Sequence, residues 1–152
     1  MPNVVDTSRE DPLAGFNFTL DIGGRVTGYF TEVSGLGSET ETIEQKVMDS
    51  GGHEVVLKIP GRLKWGDITL KRGITTNLDI WDWRKQVEDG DVAGARCNGS
   101  IVMLDQMGAE AARWNFMNAW PSKVSGPTPK ADSNEISVEE LTLVHERIER
   151  VN

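Results

Sequence analysis

Apolar residues alternate strictly at Phe16, Phe18, Leu20 and Ile22, which places all four on one face of a strand. Gly23-Gly24 tolerates the positive φ angles of a tight link, and Arg25–Val33 returns as the partner, so the chain opens its ordered part with a hairpin. Residues 1–12 before it are polar, contain two prolines, and form a loose arm. The alternation resumes at Ile68-Thr69-Leu70-Lys71, a half-buried strand. A hydroxyl or amide cap within Thr75–Asn77 and an acid at Asp79 then open a helix over 77–89, with Gly90 beyond its end. Ile80, Trp83 and Val87 share one face of it, flanked by Leu78 and Trp81, and the tryptophans are packing anchors.

Gly94–Gly99 reads as a turn region. Ile101–Leu104 is a continuous apolar run of central-strand length. Asp105–Gly108 turns the chain, and Ala112, Trp114 and Phe116 alternate with polar neighbours in a second hairpin. From Trp120-Pro121 to Asn134, proline, glycine and serine predict a loop. Near the C-terminus, Ile136 and Val138, then Leu141, Leu143 and His145, alternate as in a bulged strand. Leu141, Val144, Ile148 and Val151 also fit a helical stripe; the strand reading is taken through His145, with strand or helix open after it.

Residues 38–60 break the pattern. Glu39–Met48 and Glu54–Ile59 are two strands joined at Asp49-Ser-Gly-Gly-His53, and the first is mostly Thr, Glu, Gln and Lys. A ribbon this polar has little to bury and is marginal alone. It is either a flap or a segment that pairs outside its own domain core. Gly35-Leu36-Gly37, just before it, lacks the third glycine of a dinucleotide loop, since Thr40 stands there, and is read as a bend between two sheets. Pro60-Gly61, just after the second strand, interrupts regular pairing. Around this pair cluster Lys58, Arg62, Lys64 and Lys71, with Arg72 beside the last. Such a run suits either a contact surface for an acidic neighbour or a strand edge guarded by charge.

Charge sharpens the contrast. The 152 residues hold 16 Lys and Arg against 24 Asp and Glu, a net charge of −8, so the basic cluster is a local reversal in an acidic chain. That balance argues against a broad phosphate-gripping surface. The size fits one domain with a sizeable core. The single Cys97 forms no internal disulfide. No run approaches the roughly 18 apolar residues of a membrane span, and the N-terminus lacks a signal-peptide layout, so a soluble start in the cytoplasm is expected. His53 and His145 have no companion at metal-ligand spacing, and no serine sits in a nucleophile elbow. The clusters Glu39/Glu41/Glu44 and Glu88/Asp89/Asp91 are exposed acids rather than a calcium or acid–base site. No catalytic, cofactor or metal residues are assigned.

Several segments, in order, resemble one family. They are Asp11–Phe18, Thr31-Glu-Val-Ser-Gly-Leu36, Ile59-Pro-Gly-Arg62 with Leu70-Lys-Arg-Gly73, Ile80-Trp-Asp-Trp83, Asn98-Gly-Ser-Ile101, Arg113-Trp-Asn-Phe116, Ala119-Trp-Pro121 and Leu141–Glu146. Together they resemble the tail-tube (inner tube) proteins of contractile phage tails and related bacterial contractile injection systems. The resemblance implies a mainly β fold, a rolled β-sandwich or β-barrel with one flanking α-helix and a long protruding β-hairpin. It implies hexameric rings stacked into a hollow tube, a contractile sheath around it, baseplate or spike and terminator components at its ends, and an effector protein or phage DNA in the lumen. It implies assembly in the bacterial cytoplasm, a particle that is released or anchored, and no membrane anchoring by this subunit. Segment 38–60 becomes the assembly hairpin, Ile43, Val47, Val55 and Leu57 its intersubunit contacts, and Lys58, Arg62 and Lys64 the partners of a neighbour's acids. The tube subunit needs no chemistry of its own. The rival reading is a monomeric β-barrel that binds a small ligand under the same segment acting as a lid.

Overall fold

The computed structural model describes residues 17–23, 25–127 and 137–152; the 1–12 arm, Phe16, Gly24 and the end of the expected 120–134 loop lie outside the described residues. Ten strands and two helices follow in order: β1 (Asn17–Ile22), β2 (Arg25–Phe30), β3 (Glu32–Ser34), β4 (Ser38–Met48), β5 (Glu54–Trp65), β6 (Ile68–Gly73), α1 (Asp79–Glu88), α2 (Val92–Ala95), β7 (Cys97–Leu104), β8 (Glu110–Ser125), β9 (Val138–Val144) and β10 (Arg147–Arg150). The fold is mainly β, as the resemblance implied, with α2 as a short addition.

All strands but β4 and β5 form one sheet in the order β2-β1-β7-β8-β9-β6-β3, with β10 also on β8. The two ends of that path, β2 and β3, are separated in sequence by Thr31 alone, whose N–H donates to the Lys71 carbonyl on β6 at 2.9 Å. A sheet whose ends are joined by one residue has to roll up. It stays open as a ladder, because β2 and β3 do not pair. The interior takes the inward residues of each alternation: Leu20, Phe30, Ile68, Leu70, Ile101, Phe116, Leu141, Leu143 and Ile148, with Ile80 of α1. Each large side chain removed from water here contributes about 1.5–3 kcal/mol.

The roll turns its corner on β8. Its first half pairs with β7 and β10, its second with β9, and between them Asn118 takes φ 51°. Asparagine tolerates that left-handed geometry better than most residues. Here its N–H donates to Asn98 Oδ1 at 3.0 Å and its Nδ2 to Glu146 Oε2 at 2.7 Å. The structure therefore corrects the expected loop from Trp120: Trp120–Ser125 is strand, with the buried Pro121 at a register shift where its missing N–H is tolerated. Arg84 of α1 donates to the Pro121 carbonyl at 3.1 Å, so the helix covers that edge.

Two smaller corrections and one open question come down to partners that composition hides. Within the expected turn at 94–99, Ala95 closes α2, whose Gly94 N–H is held by Asp91 Oδ1 at 3.0 Å, and β7 starts at Cys97. The helix expected over 77–89 begins at Asp79, its N–H donating to Asn77 Oδ1 at 2.9 Å, and ends at Glu88 before Gly90 at φ 94°. The open question after His145 resolves as strand: β10 continues along β8, Ile148 points inward, and the Arg150 guanidinium lies 5.6 Å from the Trp114 ring centre.

One buried ion pair ties the layers together. Arg72 Nε donates to Glu139 Oε2 at 3.1 Å, its Nη2 to the Asn77 carbonyl at 3.1 Å, and its guanidinium lies 5.2 Å from the Phe30 ring centre. The other Glu139 oxygen accepts from Trp81 Nε1 at 2.9 Å. Arg72 is thus not part of a basic contact surface. Gly28 leaves the space for it, since a Cβ there would sit 2.6 Å from Arg72 Nη1. Removing one member of a buried pair strands the other's charge. Glu139→Ala is expected to destabilise the domain by about 3–5 kcal/mol, read as a fall in the urea midpoint at unchanged slope.

Candidate functional site

Among the described residues β4 and β5 pair only with each other and leave the body as a two-stranded ribbon. All of their residues are exposed except Val47, Gly61 and Trp65, which are half-buried. The register sorts the side chains. Ile43 faces Ile59, Gln45 faces Leu57 and Val47 faces Val55 on one side; Glu44 faces Lys58, Lys46 faces Val56 and Met48 faces Glu54 on the other. Directly opposed residues share a face, so the ribbon has one largely apolar side and one largely charged side. Ile43 is 54% exposed, Leu57 44%, Ile59 39% and Val55 37%, so nothing among the described residues covers the apolar stripe fully.

The four residues expected at an interface, Ile43, Val47, Val55 and Leu57, all fall on that stripe. Ile59 belongs with them and was not assigned; its two-residue spacing from Leu57 and Val55 was the available signal. The basic residues are dispersed. Lys64 is bound within its own chain to Glu41 at 2.5 Å, whereas Lys58 lies on the charged face and it and Arg62 make no ion pair among the described residues. The exposed pairs contribute about 0–1 kcal/mol each, too little to hold the ribbon rigid.

Pro60-Gly61 does not end the second strand, as expected from the 38–60 boundary; β5 runs on to Trp65. The pair instead makes a bulge, with Gly61 and Arg62 standing against Glu41 between the Thr42–Pro60 and Thr40–Leu63 pairs. A Cβ on Gly61 would lie 3.1 Å from two Ile43 side-chain carbons and from the Glu41 carbonyl. The bulge glycine therefore makes room for the first residue of the stripe. At the far end, Asp49 Oδ1 accepts from the N–H groups of Gly51 and His53 at 2.9 and 2.8 Å, so His53 is a turn residue.

The remaining candidates are scattered. Cys97 is half-buried, and burial pushes its thiol pKa up, away from nucleophilic chemistry. Asp91 caps α2, and hydrogen bonds from Gln86 and the Gly94 N–H hold its carboxyl below the usual range. His145 was read as an ordinary strand histidine; it stands at the root of the ribbon, with Nε2 2.9 Å from the Gly66 carbonyl and its ring centre 6.0 Å from that of Trp65. Two hollows, of about 550 Å³ beside Arg113 and Arg147 and about 540 Å³ beside Leu36 and Trp65, are open troughs rather than enclosed apolar cavities.

A rolled sheet, a flanking helix and a ribbon with a bare apolar side describe a structural building block with an unpartnered face. The chain belongs to the T4-like virus tail tube protein gp19 family, which it matches over residues 14–149. Its role is that of a structural tube protein. Among solved structures, it is similar to a chain of the sheath–tube complex of the PVC extracellular contractile injection system in its extended state, with 28% identity, a TM-score of 0.73 and 93% of each chain covered. A chain of the anti-feeding prophage tube-terminating cap gives 27% identity and a TM-score of 0.74, covering 97% of this chain and 95% of that one. Hcp1 from Flavobacterium johnsoniae shares the fold at 16% identity and a TM-score of 0.52, with 88% of this chain and 93% of that one covered. No curated protein matches the sequence.

Gly61→Val is expected to push Ile43 off its seat and loosen the ribbon at the bulge. Amide hydrogen exchange would then accelerate over residues 41–44 and 59–63 while the rolled sheet stays protected. Unchanged exchange over those residues would show that the bulge tolerates a side chain.

Proposed function

We propose that the chain is the repeating subunit of the hollow inner tube of a contractile injection system or phage tail. The observation that carries this reading is the ribbon's uncovered apolar stripe in a chain that belongs to a tail tube family. The stripe needs a partner, and a second copy supplies the same partner at every position. Contacts made head-to-tail close into a ring when the rotation closes. Hexameric rings stacked on one another then build the tube. At about 1.5–3 kcal/mol for each large apolar side chain buried, the stripe contributes several kcal/mol per contact, enough to drive assembly once repeated around a ring.

The tube works mechanically, as conduit and puncturing shaft inside a contractile sheath. Baseplate or spike components start it and a terminator caps it, in keeping with similar chains in sheath–tube, terminator and baseplate structures. The cargo is an effector protein or phage DNA, and a net charge of −8 disfavours adhesion of the latter. Assembly takes place in the bacterial cytoplasm within a tail-like particle, and this subunit does not anchor it. No helix among the described residues is long and apolar enough to cross a membrane.

Electron microscopy of the purified protein at rising concentration tests the reading. Rings or hollow tubes are expected, and Ile43→Glu or Leu57→Glu is expected to abolish them while circular dichroism and monomer sedimentation stay unchanged. Tubes formed equally well by both variants would remove the stripe from the interface. The double reversal Lys58→Glu with Arg62→Glu is expected to weaken assembly most at low salt, where charge contacts are least screened; assembly indifferent to it would assign these two cations to solvent.

A further inference from the structure

The ribbon meets the body through two crossings, Gly35–Gly37 on the way out and Gly66-Asp67 on the way back. They run close together: a Cβ on Gly35 would lie 1.9 Å from the Asp67 carbonyl oxygen, and Gly35 sits at φ 84°. The Gly37 N–H donates to the Gly35 carbonyl at 2.9 Å and the Gly66 N–H to the Gly37 carbonyl at 3.3 Å. Three glycines at a two-stranded joint leave backbone freedom and few side chains to brace it. Leu36 and Trp65 pack against the core edge. The body's own brace is His145, the residue after β9.

A carbonyl oxygen only accepts, so the 2.9 Å contact to Gly66 requires the proton on Nε2. Nδ1 is buried and has no hydrogen-bond partner among the described residues. The imidazole leaves that nitrogen unmatched while holding Gly66 and leaning on Trp65. Its own backbone is fixed by the β8 corner next door: the Glu146 N–H donates to the Met117 carbonyl at 3.0 Å, and the Glu146 carboxylate accepts from Asn118 at 2.7 Å. A continuous line of contacts therefore runs from the corner of the roll through His145 to the first residue beyond the ribbon.

We propose that His145 is a positioning residue that sets the angle of the ribbon to the body. The lever is long. Twelve residues of β5, at about 3.3 Å each, span roughly 40 Å, so a rotation of about 10° at the joint moves the tip by about 7 Å, more than the ~4.8 Å spacing of neighbouring strands. An error of that size puts the apolar stripe out of register with its target. The importance of the angle rests on the ribbon being the assembly element, but the angle itself is a property of the unassembled protein and is measured there.

The test places nitroxide labels at Ser50→Cys in the ribbon tip and Met107→Cys in the β7–β8 turn of the full chain, with Cys97→Ala. Pulsed electron paramagnetic resonance then reads the distance distribution below the assembly concentration. A single narrow distribution is expected with His145, a broad or displaced one with His145→Ala, and recovery with His145→Gln, whose amide N–H reaches for the same carbonyl. The assembly threshold is expected to rise several-fold in the alanine variant. Should that variant fail to fold, His145→Phe keeps a ring against Trp65 without the hydrogen bond and takes its place. A broad distribution in the parent, a narrow unshifted one in the alanine or phenylalanine variant, or no recovery with glutamine would each overturn the proposal. Distances that behave as expected in a protein that never forms tubes would leave the positioning role standing and defeat the tube reading instead.

Discussion

The body of this molecule is organised around a buried charge. Arg72 and Glu139 come from adjacent strands, yet their remaining hydrogen bonds and ring contacts reach β2, the segment before α1 and α1 itself. Desolvating two ions is costly, and it is offset only when geometry and extra hydrogen bonds are good. Here both carboxylate oxygens are used, and the guanidinium has a carboxylate, a carbonyl and an aromatic ring. A hydrophobic pair of similar volume would fill the same space without specifying where the helix docks. The pair does specify it, and the β8 edge beside Pro121 is closed as a result.

The ribbon obeys the opposite logic. Nothing among the described residues of the body covers it, and two antiparallel strands alone are marginal in water. Its charged side stays solvated, its apolar side lies bare, and its bulge glycine shapes the stripe rather than a core. A sheet edge left in this state is a hazard for a protein meant to stay alone. In the tube proposed above, the same edge and face are offered to a neighbour. Rigidity in the body and incompleteness in the ribbon therefore belong to one design: the second is useful only if the first holds it still.

Much of this was legible in the residues. Period-two alternation marked β1, β6 and the first half of β8, the Gly23-Gly24 link marked the returning strand that the structure divides into β2 and β3, and the cap and stripe marked α1. The ribbon showed itself as a strand pair with nothing to bury. Its two-sidedness did not, because sidedness depends on register and on where the bulge falls, and neither is written in composition. Trp120–Ser125 looked like loop because Pro121 cannot donate to a ladder; the register shift and the Arg84 contact that accommodate it come from elsewhere in the chain. Residues after His145 fitted two periods equally, and the free edge of β8 decided between them. His145 itself carried no local signal, since its partner Gly66 is a backbone carbonyl far away in sequence.

The single-residue link at Thr31 also bears on timing. β1 pairs with β7 and β6 with β9, so the roll gathers strands that lie far apart in the chain. Long-range pairings of this kind form slowly. The β4–β5 ribbon is a local hairpin and has both its strands as soon as Trp65 is made. During synthesis the ribbon is therefore complete while its mount is still missing. β9 and His145 arrive late, and with them the contact to Gly66 at the ribbon's root. On the proposed assembly, the chain order itself delays the moment at which one subunit presents a usable face to the next.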